Sequence, residues 1–217
     1  MKWQPWGSSL APALLAGVML AACASGQAEK AAPASGRVAK VADGDTLTLA
    51  EGQKVRLLGI DAPELEKEGR PADFLAHKAK KALAALAAGK TVRLEYDKLR
   101  YDRYQRLLAY AYLEDGTFLN KELVRQGLAR VYTQPPNLAR HDVLLAAQRE
   151  ALEARRGIWV KALEQDEPFY LANRKTLRFH RPRCHLAKEM AKPNRLKLDS
   201  LKDAYLQGFS PCRTCKP

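Results

Sequence analysis

Two short acidic stretches stand out for the chemistry their side chains could do together: Asp43-Gly44-Asp45-Thr46 and, sixteen positions after Asp45, Asp61-Ala62-Pro63-Glu64. Taken singly, each reads as an ordinary turn, because Asp and Gly cap hairpins and end strands. A hairpin about Gly52 changes that reading: it sets Asp45 opposite residue 59 and beside Asp61, with both carboxylates at one rim of a sheet. Carboxylates that close repel, and each has its pKa raised unless a cation lies between them, so a hard divalent ion with oxygen ligands is the natural occupant. Arg56 stands in the otherwise apolar run Val55-Arg56-Leu57-Leu58, where a guanidinium must find an anion or face solvent, and Arg106 opens another strand in Tyr104-Gln105-Arg106-Leu107. An acid pair for a metal, a free Glu and two arginines are the parts that phosphodiester hydrolysis needs. The metal neutralises the phosphate, a carboxylate orients or deprotonates the attacking water, and arginine forks grip the oxygens around the five-coordinate phosphorus.

The elements that must position these residues follow from pattern. Residues 37–41, 46–49 and 54–60 form short strand-like runs separated by Asp-Gly-Asp and Glu-Gly-Gln turn signals, which predicts a three-stranded meander. Pro71 opens and Gly89 closes an amphipathic helix with Leu75, Ala79, Ala82, Leu83 and Leu86 at helical spacing. Strands over 91–96 and 107–113 follow, then a helix from about 120 to 130, a break at Gln134-Pro135-Pro136, and a last helix from about 138 to 156, stopped by Gly157. The expected fold is α+β: a five-stranded OB-fold-like β-barrel with three helices, plus a small C-terminal zinc-binding-like module.

Four stretches carry a family resemblance: Val41-Ala42-Asp43-Gly44-Asp45-Thr46-Leu47, Arg56-Leu57-Leu58-Gly59-Ile60-Asp61-Ala62-Pro63-Glu64, the segment from Tyr101 through Arg106 to Tyr110, and Leu119-Asn120-Lys121-Glu122-Leu123-Val124-Arg125-Gln126-Gly127-Leu128-Ala129. In order and spacing the chain resembles the staphylococcal-nuclease-like (thermonuclease) family across most of residues 36–160. The resemblance implies that Asp45, Asp61 and the backbone carbonyl of Ala62 bind calcium, with Asp43 supporting them. It implies that Glu64 acts on the attacking water while Arg56 and Arg106 clamp the scissile phosphate. Tyr104 matches a nucleotide-binding tyrosine, Arg103 would be its basic neighbour, and Tyr132 is a looser match. The chain departs from the family where Ala62 replaces the usual Thr and where the loop over 65–70 is shorter and more acidic.

Residues 166–217 hold Phe179-His180-Arg181-Pro182-Arg183-Cys184-His185 and then Cys212-Arg213-Thr214-Cys215. His180, Cys184, Cys212 and Cys215 have the spacing of a structural zinc site, and the tail is similar to the small zinc-binding module of Ada-type DNA-repair proteins, in which a Cys takes the place of His180. His185 is the alternative fourth ligand. A Cys212–Cys215 disulfide is the alternative to zinc, and it would leave Cys184 over. A basic module of this size needs such a staple, and nucleic-acid tethering is its expected use.

The whole chain carries a net charge of +13 on 217 residues; Lys and Arg outnumber Asp and Glu by 24 to 19 over residues 24–165 and by 12 to 5 over residues 166–217. Charge of that sign favours polyanions, nucleic acid or an anionic membrane surface. With 47% apolar and 28% charged residues, the composition excludes a disordered chain.

At the N-terminus, Lys2, the apolar run over 10–22 and Leu20-Ala21-Ala22-Cys23 resemble a lipoprotein signal ending in a lipobox. The expectation is export and membrane anchoring through a lipidated Cys23, in the outer membrane if the organism is Gram-negative, with an ordinary cleaved signal peptide as the alternative. Residues 24–35 read as a flexible tether, 36–165 as the nuclease-like domain and 166–217 as the Cys/His module. The expected function is calcium-dependent hydrolysis of DNA or RNA with little sequence specificity by a monomer that needs no protein partner. A non-catalytic nucleic-acid-binding surface lipoprotein is the alternative, and a lipoprotein whose basic tail engages anionic lipid or cell-wall polymer is a third reading.

Overall fold

Alternation of apolar and polar residues drives the first strands. In β2 (Thr46–Leu49) and β3 (Lys54–Leu57), Leu47, Leu49, Val55 and Leu57 point into a common core, while Gly52 takes a positive φ of 87° in the turn between them. With β1 (Ser35–Val41), and with β5 (Thr91–Tyr101) and β6 (Leu107–Leu113) following the helix α1 (Ala76–Ala87), these strands close a five-stranded barrel in the order β1-β2-β3-β6-β5. The β3–β6 pair is parallel and sets Arg56 against Leu108. The computed structural model describes residues 1–3, 32–164 and 166–217. The signal segment, Cys23 and most of the tether lie outside the described residues. Residues 32–217 form one compact unit. Its first residues are already tied to the barrel: Ala34 accepts a hydrogen bond from the Leu94 amide and Pro33 one from the Tyr96 hydroxyl. Among the described residues, no helix is long and apolar enough to cross a membrane.

Three expectations are corrected, each for a reason that bears on the site. The third strand ends at Leu57 rather than 60, because Gly59, at φ 74°, turns the chain into a two-residue strand β4 (Ile60–Asp61). The hairpin register is Thr46 with Arg56 and Leu47 with Val55, so Asp45 faces Leu57, two residues from the expected partner; the Gly59 turn, not the hairpin, returns Asp61 to Asp45. The first helix begins at Ala76, five residues after Pro71. Residues just before it are pinned to the loop of Glu64, since the Asp73 amide donates to the Glu64 carbonyl and the Glu64 amide to the Asp73 carboxylate, and Leu75 adopts a left-handed φ of 66°.

Helix α2 (Leu119–Arg125) also ends earlier than the pattern suggests. The chain turns at Gly127, φ 66°, and forms β7 (Arg130–Val131), which pairs antiparallel with β4 and places Arg130 directly opposite Asp61. Helix α3 (His141–Glu153) then leads into a 3-10 turn over Gly157–Val160.

Beyond it lie β8 (Tyr170–Asn173), β9 (Arg178–His180), α4 (His185–Lys188), β10 (Arg195–Leu198), α5 (Leu201–Leu206) and β11 (Ser210–Pro211). Their four-stranded sheet, ordered β10-β8-β9-β11, encloses a second core. That core is shared: Ala151, Leu152, Ile158 and Trp159 pack with Tyr170, Phe179, Leu201 and Tyr205. The fully buried Trp159 ring meets Tyr205 edge to face at 4.9 Å. The tail thus completes its core with the end of the nuclease-like segment. Trp159→Ala should therefore lower stability by about 3–5 kcal/mol. In a thermal melt followed by near-UV and far-UV circular dichroism, the barrel and tail signals should move together; a melt in which only the tail shifts would show that the two cores are separate.

Candidate active site

The Asp43-Gly44-Asp45 turn is shaped by its own side chains. Asp43 accepts the Asp45 amide at 3.0 Å, and Gly44 passes so close to Ala62 and Ala79 that an added Cβ would lie 2.6 and 2.8 Å from their Cβ atoms. This close pass brings Asp45 to the start of the Asp61-Ala62 segment: Asp45 Oδ2 accepts the Ala62 amide at 2.8 Å, and Oδ1 accepts the Thr46 hydroxyl at 3.2 Å. Arg56, in β3, joins both acids, with Nη2 at 3.0 Å from Asp45 Oδ2 and 3.5 Å from Asp61 Oδ1. All three side chains are nearly enclosed, at about a tenth exposed.

Their electrostatics differ. Burial pushes the Asp45 carboxyl up to about 7, aided by Asp43 and Asp61; Arg56 and the Ala62 amide oppose the rise without cancelling it. Burial acts on Asp61 in the same direction, but there it is outweighed by Arg130, Arg56 and Arg213, so that carboxyl lies below its ordinary value. Arg130 Nη2 sits 3.0 Å from Asp61 Oδ2, a consequence of the β4–β7 register, and Arg213 Nη2 sits 3.0 Å from Oδ1. Asp61 is thus satisfied by three guanidinia while the charge of Asp45 is only partly offset, and together they present the hard oxygen donors that a divalent cation takes.

The remaining candidates lie on two neighbouring cavities. One, of about 460 Å³, is lined by Asp61, Glu64, Lys67, Arg70, Arg130 and Arg213 among others; the second, of about 450 Å³, by Arg56, Arg103, Tyr104, Arg106, Tyr132 and Arg213. Glu64 is half exposed, and its carboxylate receives Lys67 Nζ at 2.7 Å, so the structure sets it on the wall shared with Asp61 but paired to a lysine. Arg106 is held by Asp102, with Nε at 2.8 Å and Nη2 at 2.7 Å from Oδ2, while Oδ1 accepts the Tyr104 and Arg106 amides. Tyr104 is 64% exposed and Arg103 lies over its ring at 4.8 Å, donating to its hydroxyl at 2.6 Å. Tyr132 lies under two guanidinia, Arg178 at 4.0 Å and Arg213 at 4.7 Å.

In the tail, the ligand atoms of His180, Cys184, Cys212 and Cys215 all lie within 4.8 Å of one another. His185, the alternative ligand, is exposed at the start of α4 and stands outside this group. Burial, with Arg178 and His185 nearby, lowers the His180 pKa and keeps the imidazole neutral at pH 7, as a metal ligand must be. Cys184, Cys212 and Cys215 are unbonded to one another and, with His180, form a four-donor cluster.

Sequence reasoning missed Arg130, Arg213 and Asp102. Arg130 carried the same signal as Arg56, a lone cation in an apolar strand. Asp102 lay within a quoted motif, four residues before the arginine it holds. Arg213 carried no signal beyond its place between two cysteines.

A closed OB barrel with an acid pair, arginines on two sides and an exposed tyrosine, Tyr104, beside them defines a nuclease-type site. The comparisons agree. Residues 54–161 match the family model described as staphylococcal nuclease homologue, and residues 158–217 match the metal binding domain of Ada. The chain is 37% identical over 125 residues to the thermonuclease of Staphylococcus intermedius, covering 56% of this chain and 74% of that one. It is 38% identical over 131 residues to an uncharacterized endonuclease of Escherichia coli, covering 58% and 78%, and 37% identical over 125 residues to endonuclease YncB of Bacillus subtilis, covering 55% and 59%. This protein belongs to the staphylococcal nuclease family and is a nuclease-type hydrolase with an Ada-type metal-binding domain at its C-terminal end.

The raised Asp45 pKa has a measurable consequence without divalent cations. A folded-state pKa of about 7 against an ordinary 3.8 means that the folded protein holds a proton the unfolded chain releases, so stability falls as pH rises from about 4 to about 7. Asp45→Asn does not titrate, so its Tm in chelator should gain on wild type across that range, by on the order of 5 °C at pH 8. A Tm difference independent of pH would refute the assignment.

Proposed function

We propose that this protein is a calcium-dependent nuclease that cleaves DNA or RNA with little sequence specificity. The observation that carries the reading is the enclosed Asp45–Asp61 pair sharing Arg56, with Arg106 on the adjoining cavity. Asp45, Asp61 and the Ala62 carbonyl would hold the ion, which when bound supplies charge neutralisation to a phosphate oxygen. The chain's own residues do the rest. Arg56 and Arg106 line one cavity and bring positive charge to the phosphate, and Asp102 holds the Nε and Nη2 edge of Arg106 so that little is lost in ordering the rest of its guanidinium. Glu64, freed from Lys67, orients the attacking water or takes its proton. Tyr104 offers a flat face to bases without reading their edges, consistent with low specificity, while Tyr132, its ring taken up by Arg178 and Arg213, steadies those cations on the cavity wall.

Export and anchoring through a lipidated Cys23 belong to the same proposal, supported by the signal-like sequence and by the abundance of calcium outside cells, where weak sites suffice. The tail is proposed to hold one structural zinc ion on His180, Cys184, Cys212 and Cys215. The non-catalytic alternative has no observation in its favour, since every residue of the hydrolytic set is in place.

Single-stranded DNA should be cleaved in calcium and left intact in a calcium-selective chelator. Glu64→Gln and Arg106→Ala should each lower kcat by about 10²-fold or more. Binding in calcium without cleavage would overturn the enzyme reading. For the tail, elemental analysis should find about one zinc per chain, and Cys184→Ser should both empty the site and lower Tm; full-length protein free of zinc with unchanged Tm would refute it.

A further inference from the structure

The Cys212-Arg213-Thr214-Cys215 knuckle does more than close the tail. Immediately before it, β11 and the residues leading into it are fastened to β7 and the chain that follows it. Ser210 Oγ accepts the Thr133 amide at 3.0 Å, and Gly208 accepts the Thr133 hydroxyl at 2.8 Å. Gln148 bridges the same seam, taking the Val131 amide at 2.6 Å and donating to the Tyr205 carbonyl at 2.7 Å. All of these groups are buried, so the seam is fixed rather than a surface encounter. The seam ends where the knuckle begins, and the knuckle directs Arg213 at the acid pair.

Among the described residues, Arg213 alone lines both cavities of the site. One Nη reaches Asp61 and the guanidinium lies over Tyr132, yet the side chain remains 63% exposed. Of its five N–H donors, Asp61 occupies only one edge. Around it the first cavity also presents Lys67, Arg70 and Arg130, paired to its carboxylates Glu64, Asp73 and Asp61, with Lys161 and Lys216 beyond them, so the wall is net positive and suited to a polyanion.

We propose that Arg213, carried by the Cys/His knuckle of the C-terminal module, is a phosphate-binding residue of the nuclease site, gripping the nucleic-acid backbone where it crosses from the Glu64 cavity to the Arg56–Arg106 cavity. The proposal rests on the nuclease reading for its substrate. A flexible basic tail would give diffuse attraction only. An arginine set between two cluster cysteines and stacked on a tyrosine holds its fork in place, which is what bidentate phosphate recognition requires. The role is binding rather than chemistry, so it acts on KM.

The test uses the full-length protein with Arg213→Ala, Arg213→Lys and, as a charge control, Lys202→Ala, an exposed cation of α5 away from both cavities. Cleavage of single-stranded DNA gives KM and kcat. Fluorescence anisotropy of a labelled oligonucleotide gives Kd against salt, in chelator and, on a Glu64→Gln background, in calcium. Arg213→Ala should raise KM and Kd about tenfold with kcat within about threefold, and should flatten the slope of log K against log salt by about 0.7, the loss of one phosphate contact on a single strand. Arg213→Lys should fall between the two, and Lys202→Ala should match wild type. Arg213→Ala equal to Lys202→Ala would overturn the proposal. So would faster cleavage with tighter calcium binding, which would make Arg213 an occupant of the metal site. Absence of cleavage by wild type would sink the nuclease reading, and the anisotropy series would still decide the role of Arg213.

Discussion

The site depends on one electrostatic constraint: two carboxylates, Asp45 and Asp61, are enclosed side by side and must be held there by positive charge. Removing charges from water is costly, and leaving one such group unpaired in a folded protein costs about 3–5 kcal/mol. The chain meets the constraint unevenly. Asp61 has three guanidinia, Arg56, Arg130 and Arg213, and stays ionised. Asp45 has only its share of Arg56 and an amide, and its proton is retained up to about pH 7. Each surrounding element can be read as a means of delivering these groups: the β4–β7 pairing places Arg130, the β2–β3 register places Arg56 beside Asp45, and the tail places Arg213.

That last delivery explains why the C-terminal module is built into the protein rather than strung behind it. Its core borrows Trp159 and the end of α3, its final strand is locked to Thr133, and its helix α5 to Gln148, through buried hydrogen bonds. A module of roughly fifty residues has too little apolar surface to fold firmly alone, and here it draws on a neighbouring core as well as a four-donor cluster. The boundary between domains by sequence pattern, near residue 165, is therefore not a boundary in packing.

What the sequence reveals follows from how local each feature is. The barrel strands were legible because their alternation is written in consecutive residues, as in Thr46-Leu47-Thr48-Leu49, and the zinc-type cluster because ligand spacing is a local code. Asp43, Asp45, Asp61, Arg56 and Arg106 were named from residue type and order. The hairpin register differs by two because the turn centres on Glu51, between Leu49 and Gln53, rather than on Gly52, and separately a left-handed Gly59 ends the strand. Arg130 and Arg213 escaped for a deeper reason: their partner, Asp61, lies 69 and 152 residues away, and no periodicity encodes a contact of that separation.

The long-range partners also show how the two halves of the protein influence each other. Arg213 is fixed at one end by the cysteine cluster and meets Asp61 at the other, so the geometry of the tail enters the charge balance of the acid pair directly. Arg130 does the same from the core side, since its guanidinium is shared between Asp61 and the buried Tyr205 of the tail. The tail thus meets the carboxylates through two separate cations, Arg213 from the cluster at the surface and Arg130 from the core beneath it. With Asp61 so heavily compensated, Asp45 is the member of the pair with unmet demand for positive charge. The asymmetry in their environments thus separates the two acids: Asp61 organises the arginines, and the charge of Asp45 is left only partly offset.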